Sequence, residues 1–144
     1  GALTDGLCGP FRPGHFAGVA TVVTKLLLLA LPDRAYFGEK DWQQLQLVRG
    51  MAAALFLPGE IVACPTVRAD DGLALSSRNA RLPAPGRELA ALFPKLLRDA
   101  SHASVAATAL QAAGFEVDYV AAHAGVRLGA VRLEGVRLID NVRL

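Results

Sequence analysis

The residues with the clearest chemical potential lie in the run Tyr36–Leu45, where a short apolar segment gives way to a polar cluster. We predict a strand-to-helix junction here, and ligands of open α/β sheets bind beyond the carboxyl ends of the strands. Gly38 would let a ligand approach the backbone, and Lys40 offers a positive charge to phosphate. Asp41 could accept a hydrogen bond from a ribose hydroxyl, and Gln44 projects from the first helical turn. The plainer alternative is an ordinary helix start with Asp41 as its N-cap.

A second polar run, Leu75–Asn79, presents two hydroxyls and a guanidinium close together. The Ser76 and Ser77 hydroxyls and neighbouring backbone N–H groups can surround phosphate oxygens, and Arg78 can bind such oxygens bidentately. Together with Lys40 they would form a cationic clamp for charge that develops on a phosphate under attack. Taken alone, the serines are as well explained by a helix cap and the arginine by a solvated side chain. The presence of two such runs favours phosphate binding.

The remaining sequence narrows the class of protein. It contains no Walker A loop, no G-x-G-x-x-G and no G-x-S-x-G elbow, and its three histidines lack metal-ligand spacing. The 144 residues, 53% of them hydrophobic, suffice for one domain or one with a small appendage. The formal charge of +2 is spread along the chain, so we expect neither a nucleic-acid partner nor a membrane partner.

The cysteines and the apolar runs predict a cytoplasmic protein. Cys8 and Cys64 show neither metal spacing nor disulfide density, which fits a reducing compartment. The longest apolar run, Val19 to Leu31, is interrupted by Lys25 and is too short to span a bilayer. We see no signal-peptide start.

Periodicity predicts alternating helices and strands in the first half of the chain, an order typical of parallel strands joined by crossover helices. Pro13 suits the first turn of the first helix. The predicted elements are a helix over His15–Ala30, a strand over Arg34–Gly38, a helix over Asp41–Leu57 and a strand over Glu60–Val67.

The sequence pattern changes after the turn Asp70–Gly72 and the loop Leu73–Asn79. In the second half, this pattern predicts a small unit of helices and antiparallel strands. We therefore expect an α/β fold with a partial nucleotide-binding domain over residues 1–67 and a small C-terminal domain over 68–144. The predicted elements of the second half are a helix over Arg87–Ala100 that Pro94 should kink or split, a helix over Ser101–Ala113, and strands over Phe115–Val120, Gly125–Leu133 and Val136–Ile139.

Several motifs, in this order, resemble the pantothenate synthetase (pantoate–β-alanine ligase) family. The resemblance covers essentially the whole chain and is strongest from Arg12 to Asn79. The motifs are Arg12-Pro13-Gly14-His15-Phe16-x-Gly18-Val19, Phe37-Gly38-Glu39-Lys40-Asp41-x-Gln43-Gln44-Leu45, Pro65-Thr66-Val67-Arg68, Asp71-Gly72-Leu73-Ala74-Leu75-Ser76-Ser77-Arg78-Asn79 and Arg137-Leu138-Ile139-Asp140-Asn141.

The resemblance implies a Rossmann-type, nucleotidylyltransferase-like domain with a small C-terminal lid domain. It implies that ATP and Mg²⁺ drive the condensation of pantoate with β-alanine through a pantoyl-adenylate, with loss of pyrophosphate, in a homodimer. Lys40 and Arg78 would stabilise charge on the triphosphate, and Gln44 would hold pantoate. No metal-ligating residue is assigned. The motif positions that would contact ATP are Gly38, Glu39, Lys40, Asp41, Val67, Leu75, Ser76, Ser77 and Arg78.

The chain also departs from the family pattern. The His-x-Gly-His motif lies upstream of anything in these 144 residues, and His15 belongs to a different motif, so we expect the 144 residues alone to be close to inactive. Ala69 replaces a usual glutamate, and the segment between Asn79 and Phe115 looks short. With part of the sheet missing, Leu26–Leu29 and the strand at Ile61 should expose apolar surface.

Two other interpretations stay open. The chain could be a non-catalytic nucleotide-binding or assembly module from a truncated gene, in which case a genuine start codon would lie just upstream. It could also be another adenylate-forming nucleotidylyltransferase, although Gln44 and the full run Phe37–Asp41 argue against that.

Overall fold

The computed structural model of the protein describes residues 14–144, and the chain divides into two compact units after Pro65. The predicted role of Pro13 at the first helix lies outside the described residues. Within the part of the chain that is described, no helix combines the length and the apolar character needed to cross a membrane.

The first unit pairs two parallel strands, each preceded by a helix. The strands β1 and β2 run in register, with Arg34 opposite Glu60 and Gly38 opposite Cys64, so their carboxyl ends lie side by side. This confirms the predicted parallel arrangement. The elements are α1 (His15–Ala30), β1 (Arg34–Gly38), a 3₁₀ turn (Glu39–Asp41), α2 (Trp42–Ala54) and β2 (Glu60–Cys64).

Helices α1 and α2 pack against each other, and the hydroxyl of Thr24 on α1 lies 2.8 Å from the sulfur of Met51 on α2. Leu27 is buried on α1, as are Leu45 and Val48 on α2. The rest of α1 is unusually apolar on its outer side, as expected from the sequence. The large exposed side chains in and just after α1 are Val22, Leu26, Leu28, Leu29 and Leu31.

The boundaries in this unit differ from the predicted ones for backbone reasons. Helix α2 ends at Ala54 rather than Leu57, since Phe56 takes a left-handed conformation with φ of 50°. Strand β2 ends at Cys64 rather than Val67 because Pro65 has no N–H to donate to a strand ladder. Gly59 makes the sharp entry into β2 possible: its φ is 90°, and a Cβ there would lie 2.2 Å from the carbonyl oxygen of Pro32.

The second unit packs helices against an antiparallel sheet in the order β3-β4-β5. Its core is formed by Phe93, Leu97, Leu110, Val131 and Leu138, all at most 5% exposed. The predicted α/β class, with a small antiparallel sheet in the second half, is confirmed. After a 3₁₀ turn (Ser77–Arg81), the elements are α3 (Ala84–Ala90), α4 (Leu92–Asp99), α5 (Ala103–Ala112), β3 (Glu116–His123), β4 (Val126–Leu133) and β5 (Val136–Arg143).

The helix predicted over Arg87–Ala100 is two helices, which break at Ala91. Pro94 accordingly occupies the first turn of α4, where a missing N–H breaks no helical hydrogen bond. Strand β5 continues to Arg143, well beyond the predicted end at Ile139. The reason is that its whole length pairs with β4, from Leu133 opposite Val136 to Val126 opposite Arg143.

Two buried charges hold this unit together. The Arg127 guanidinium, 3% exposed, donates hydrogen bonds to the carbonyl oxygens of Leu97 (2.8 Å) and Ala100 (2.6 Å), and so satisfies the end of α4. The Asp118 carboxylate accepts from Arg132 at 3.0 Å and from Arg137 at 2.7 Å. Burial raises the pKa of Asp118, but the hydrogen bonds and the positive charges of Arg137 and Arg132 together lower it by more, and the net pKa is below the ordinary 3.8.

The lowered pKa of Asp118 predicts a loss of stability in acid. A group whose pKa is lower in the folded state stabilises that state at pH above its unfolded pKa, and this contribution disappears as the pH falls through the folded pKa. We expect Asp118→Asn to reduce the free energy of unfolding most at neutral pH, with the difference from wild type shrinking below about pH 4. Urea unfolding from pH 7 to pH 3 measures it, and a difference that is independent of pH would contradict the assignment.

Candidate nucleotide site

The first predicted run lies at the carboxyl edge of the parallel strand pair. Gly38 is the last residue of β1, Glu39–Asp41 form the 3₁₀ turn, and α2 starts at the next residue. The carboxyl edge of a parallel pair is where open α/β sheets bind ligands. The structure therefore places Gly38, Lys40 and Asp41 at the edge that the sequence predicted.

Gly38 is not required by the backbone, because its φ of −68° and ψ of 133° suit any residue. What the glycine provides is space, since a Cβ built at Gly38 meets nothing within 4 Å. Asp41 occupies the N-cap position of α2 but makes no side-chain capping bond. The plain alternative is thus right about the N-cap position of Asp41, but the Asp41 side chain does not cap the helix.

Lys40 and Gln44 are both half-buried, and Gln44 is the third residue of α2. Asp41 between them has a φ of −89° and a ψ of 57°, so the backbone from Lys40 to Gln44 is not one continuous helix. The 3₁₀ turn and the first turn of α2 nonetheless carry an ammonium group and an amide close together in the sequence. Between them, Gln43 is buried at 6% exposure and turns toward the unit itself.

The second run follows a short hairpin in the other unit. Arg68 pairs with Ala74 in an antiparallel bridge, and the N–H of Leu75 donates to the carbonyl of Val67 at 2.9 Å. The tip turns at Gly72, whose φ is 90°. Leu73 and Ala74 are 2% exposed, whereas Val67 and Leu75 at the open end of the hairpin are exposed. The hairpin thus buries Leu73 and Ala74 on its second arm and exposes Val67 and Leu75 at its open end.

Hydrogen bonds close the loop beyond the hairpin. The Ser76 hydroxyl accepts from the N–H of Arg78 at 3.2 Å, so the predicted capping role of Ser76 is realised. The side-chain amide of Asn79 donates to the carbonyl of Ala74 at 3.1 Å and ties the two ends of the loop together. Ser77 is exposed and Arg78 half-buried. The loop therefore has a defined shape with a hydroxyl and a guanidinium on it.

The two runs belong to different units. Gly38, Glu39, Lys40, Asp41 and Gln44 lie in the first, and Val67, Leu75, Ser76, Ser77 and Arg78 lie in the second. Each unit brings its own residues together. That both runs engage one nucleotide stays a prediction.

The sequence motifs contain Arg68, Asn79 and Asp140, but the roles of these three residues were not predicted from the sequence. Asn79 closes the loop, and Arg68 binds the Asp140 carboxylate through both terminal nitrogens, at 2.7 and 2.9 Å. A signal for Asp140 was present in the sequence. Leu138, Asp140 and Val142 occupy alternate, buried positions of β5, and a carboxylate at such a position requires a partner.

Ionisable groups near the loop are paired as well. The hydrogen bond with Asp140 raises the pKa of the Arg68 guanidinium above its already high value. A hydrogen bond from Arg87, supported by the N–H of Leu73, lowers the pKa of Asp71 at the hairpin tip. The pairs Arg68–Asp140 and Arg87–Asp71 therefore hold the hairpin in place.

The match to known proteins is decisive for the family. The family model described as pantoate-beta-alanine ligase matches residues 1–143. The chain belongs to the pantoate–β-alanine ligase family. The resemblance drawn from the sequence motifs is thereby confirmed.

Individual relatives agree. The chain is 49% identical over 136 residues to the pantothenate synthetase of Legionella pneumophila (strain Corby), covering 94% of this chain and 54% of that protein. It is 50% identical over 164 residues to the enzyme of Paracoccus denitrificans, covering 97% of this chain and 58% of that protein. The chain thus spans about half the length of the curated relatives it matches.

Solved structures show the same fold. The crystal structure of pantothenate synthetase from Thermus thermophilus matches with a TM-score of 0.90 and 42% identity, covering 99% of this chain and 61% of that one. The pantoate-beta-alanine ligase of Francisella tularensis, complexed with beta-gamma ATP and beta-alanine, matches with a TM-score of 0.90 and 35% identity, covering 99% of this chain and 55% of that one.

The hydrogen bond from Asn79 to Ala74 across the loop gives a testable prediction. Asn79→Asp preserves the size of the side chain but removes the N–H group that donates a hydrogen bond to the carbonyl of Ala74. The loop should therefore open more often. One hydrogen bond contributes about 0.5–1.5 kcal/mol, which corresponds to a loss of protection against hydrogen exchange of up to about tenfold. Exchange followed by mass spectrometry should show the loss in residues 75–79, with the β3–β5 amides as internal control. Unchanged hydrogen-exchange rates in the loop would contradict the role assigned to this hydrogen bond.

Proposed function

We propose that the natural protein carrying this chain is an ATP-dependent pantoate–β-alanine ligase. The observation that carries the proposal is the family match over residues 1–143. The ATP and β-alanine complex of the Francisella relative supports ATP and β-alanine as substrates. The two polar runs, each held by its own unit, fit a reaction centred on a triphosphate.

In this proposal residues of both polar runs contact the nucleotide. Lys40, at the carboxyl edge of β1, supplies a point charge, and Arg78 supplies a guanidinium that can bind two phosphate oxygens. Ser76 and Ser77 add hydroxyl groups, while Val67 and Leu75 meet ATP at the open end of the hairpin. Gly38, Glu39 and Asp41 complete the contacts, and Gln44 in the first turn of α2 binds pantoate.

The chemistry follows in two steps. The pantoate carboxylate attacks the α-phosphorus, a P–O bond forms, and pyrophosphate leaves with the electrons of the broken P–O bond. The amine of β-alanine then attacks the acyl carbon of the pantoyl-adenylate, loses a proton, and expels AMP to form the amide of pantothenate. Negative charge builds on phosphate oxygens in the first step, and fixed cations that stabilise it lower the barrier.

Mg²⁺ fits this scheme as part of the nucleotide substrate. Mg²⁺ usually keeps several waters and is bound through substrate phosphates and one or two carboxylates. Among residues 14–144, no group of three histidine, cysteine or acidic side chains is arranged to hold a metal ion. The triphosphate is accordingly the main ligand that we propose for it.

Other features of the family stay predictions for this protein. These are the homodimer, the cytoplasmic location and the absence of nucleic-acid or membrane partners. The alternative of a non-catalytic nucleotide-binding module predicts ATP binding without pantothenate formation by the natural protein, so the activity assay separates it from the enzyme.

Lys40 gives the first test of the proposed function. Lys40→Met in the complete natural protein should lower kcat/KM for ATP by about 10²–10³, the usual cost of removing one electrostatic contact to a transition state. Lys25→Met is the matched control, because Lys25 is an exposed lysine on α1 of the same unit. Pantothenate formation is measured with ATP, Mg²⁺, pantoate and β-alanine. Equal activity of the two variants would contradict the role of Lys40.

The 144 residues by themselves give the second test. They correspond to 54% of the Legionella relative, and the rest of that protein has no counterpart among them. If the missing part supplies even one contact to the transition state, the rate falls by about 10²–10³. We expect the purified 144-residue chain to form pantothenate at least about 100-fold more slowly than a full-length relative assayed beside it. Comparable turnover would show that these residues suffice.

A further inference from the structure

The Arg68–Asp140 pair is a buried contact of the second unit with several hydrogen bonds. The carboxylate side chain of Asp140 is 1% exposed and accepts from both terminal nitrogens of Arg68. The same guanidinium donates to the carbonyl of Gly72 at 3.0 Å and to that of Asn141 at 3.2 Å. Four hydrogen bonds from one side chain fix its position and its plane.

These bonds connect two separate pieces of backbone. Gly72 is the tip of the hairpin that contains Arg68, while Asp140 and Asn141 lie on β5, about seventy residues later. The N–H of Asn141 also donates to Asp140 at 2.8 Å, which orients the carboxylate. The guanidinium therefore holds the hairpin in its own shape and fastens it to the edge of the sheet.

The hairpin controls the position of the loop. Its last hydrogen bond joins Leu75 to Val67, and Leu75 leads directly into the loop that Asn79 closes. A rotation of the hairpin on β5 would move Val67 and the whole loop together. The backbone of this segment thus transmits the geometry of the Arg68–Asp140 pair to the residues assigned to ATP.

A gain in the stability of the fold is not a sufficient reason for a buried ion pair such as Arg68–Asp140. Buried ion pairs often contribute no more to stability than an apolar pair of similar size, because desolvation of the charges offsets their attraction. A bidentate arginine–carboxylate contact does impose a direction, however, which an apolar contact lacks. Asp118 offers a comparison, since its side chain is only 4% exposed and it also binds arginines, but Arg132 and Arg137 both lie within the sheet.

We propose that Arg68 and Asp140 are positioning residues for the nucleotide, which hold the Val67–Leu75 hairpin on β5 and so set the loop Leu75–Arg78 for ATP. The inference rests on the proposed function for the identity of the ligand. Neither residue need touch ATP, and pantoate binding at Gln44 in the other unit should be independent of them.

Kinetics with matched variants test the proposal in the complete natural protein. Asp140→Asn and Arg68→Lys retain size or charge but lose the bidentate contact, and Asp118→Asn makes the same change at the comparison site. We expect the Asp140 and Arg68 variants to raise KM for ATP about tenfold, with less than about a twofold change in KM for pantoate. Asp118→Asn should leave KM for ATP unchanged even where it lowers the melting temperature as much.

Hydrogen exchange tests the physical link without catalysis. In Asp140→Asn, the amides of Ala69 and Leu75 should exchange at least about tenfold faster than in wild type, while the β3–β4 amides change less. Asp118→Asn should show the opposite pattern. This test remains valid if a substitution destabilises the whole unit, because it compares the change in exchange rate in the hairpin with that in the β3–β4 strands.

The outcomes separate the proposals. An active wild type whose KM for ATP is the same in Asp140→Asn and Arg68→Lys overturns the positioning role and leaves the proposed function intact. Equal acceleration of exchange in the hairpin and the sheet also overturns it. A natural protein that forms no pantothenate overturns the proposed function and, with it, the role of the pair toward ATP.

Discussion

The in-register parallel pairing of β1 with β2 is the constraint on which the first polar run depends. Because Gly38 lies opposite Cys64, both strands end at one edge, and the turn after β1 places Lys40 there before α2 begins. A parallel pair needs a crossover connection, and α2 provides it. The helix that the pairing requires is thus also the helix that carries Gln44, so topology and the proposed substrate contact share one element.

The second run depends on side chains rather than on strand order. The loop Leu75–Arg78 is closed by Asn79 and continues from a hairpin that the Arg68 guanidinium fastens to Asp140 on the final strand. In our proposal, the positions of the ATP contacts in this unit therefore depend on a bond between residues distant in sequence. Each unit thus fixes its own set of proposed contacts through its own internal bonds.

The local sequence pattern was enough to predict much of the fold. The bounds of α1 and β1 agree with the predicted ones, and the parallel pair and the antiparallel sheet follow from the order and alternation of apolar residues. The predicted split of the helix at Pro94 is confirmed, and the errors arose at element ends where one backbone group decided the outcome, at Phe56 and at Pro65. The pairing of Arg68 with Asp140 could not be predicted from spacing, since it depends on which strand lies beside the hairpin, and that is fixed only by the tertiary fold.

The central claim is that the runs at Lys40 and at Ser76–Arg78 bind the same triphosphate. The most direct test is a crystal structure of the complete natural protein with pantoate and a non-hydrolysable ATP analogue. The account predicts phosphate oxygens at about 3 Å from the Lys40 ammonium and from the hydroxyl and guanidinium groups of the loop. A nucleotide bound elsewhere, or bound by only one of the two runs, would contradict it.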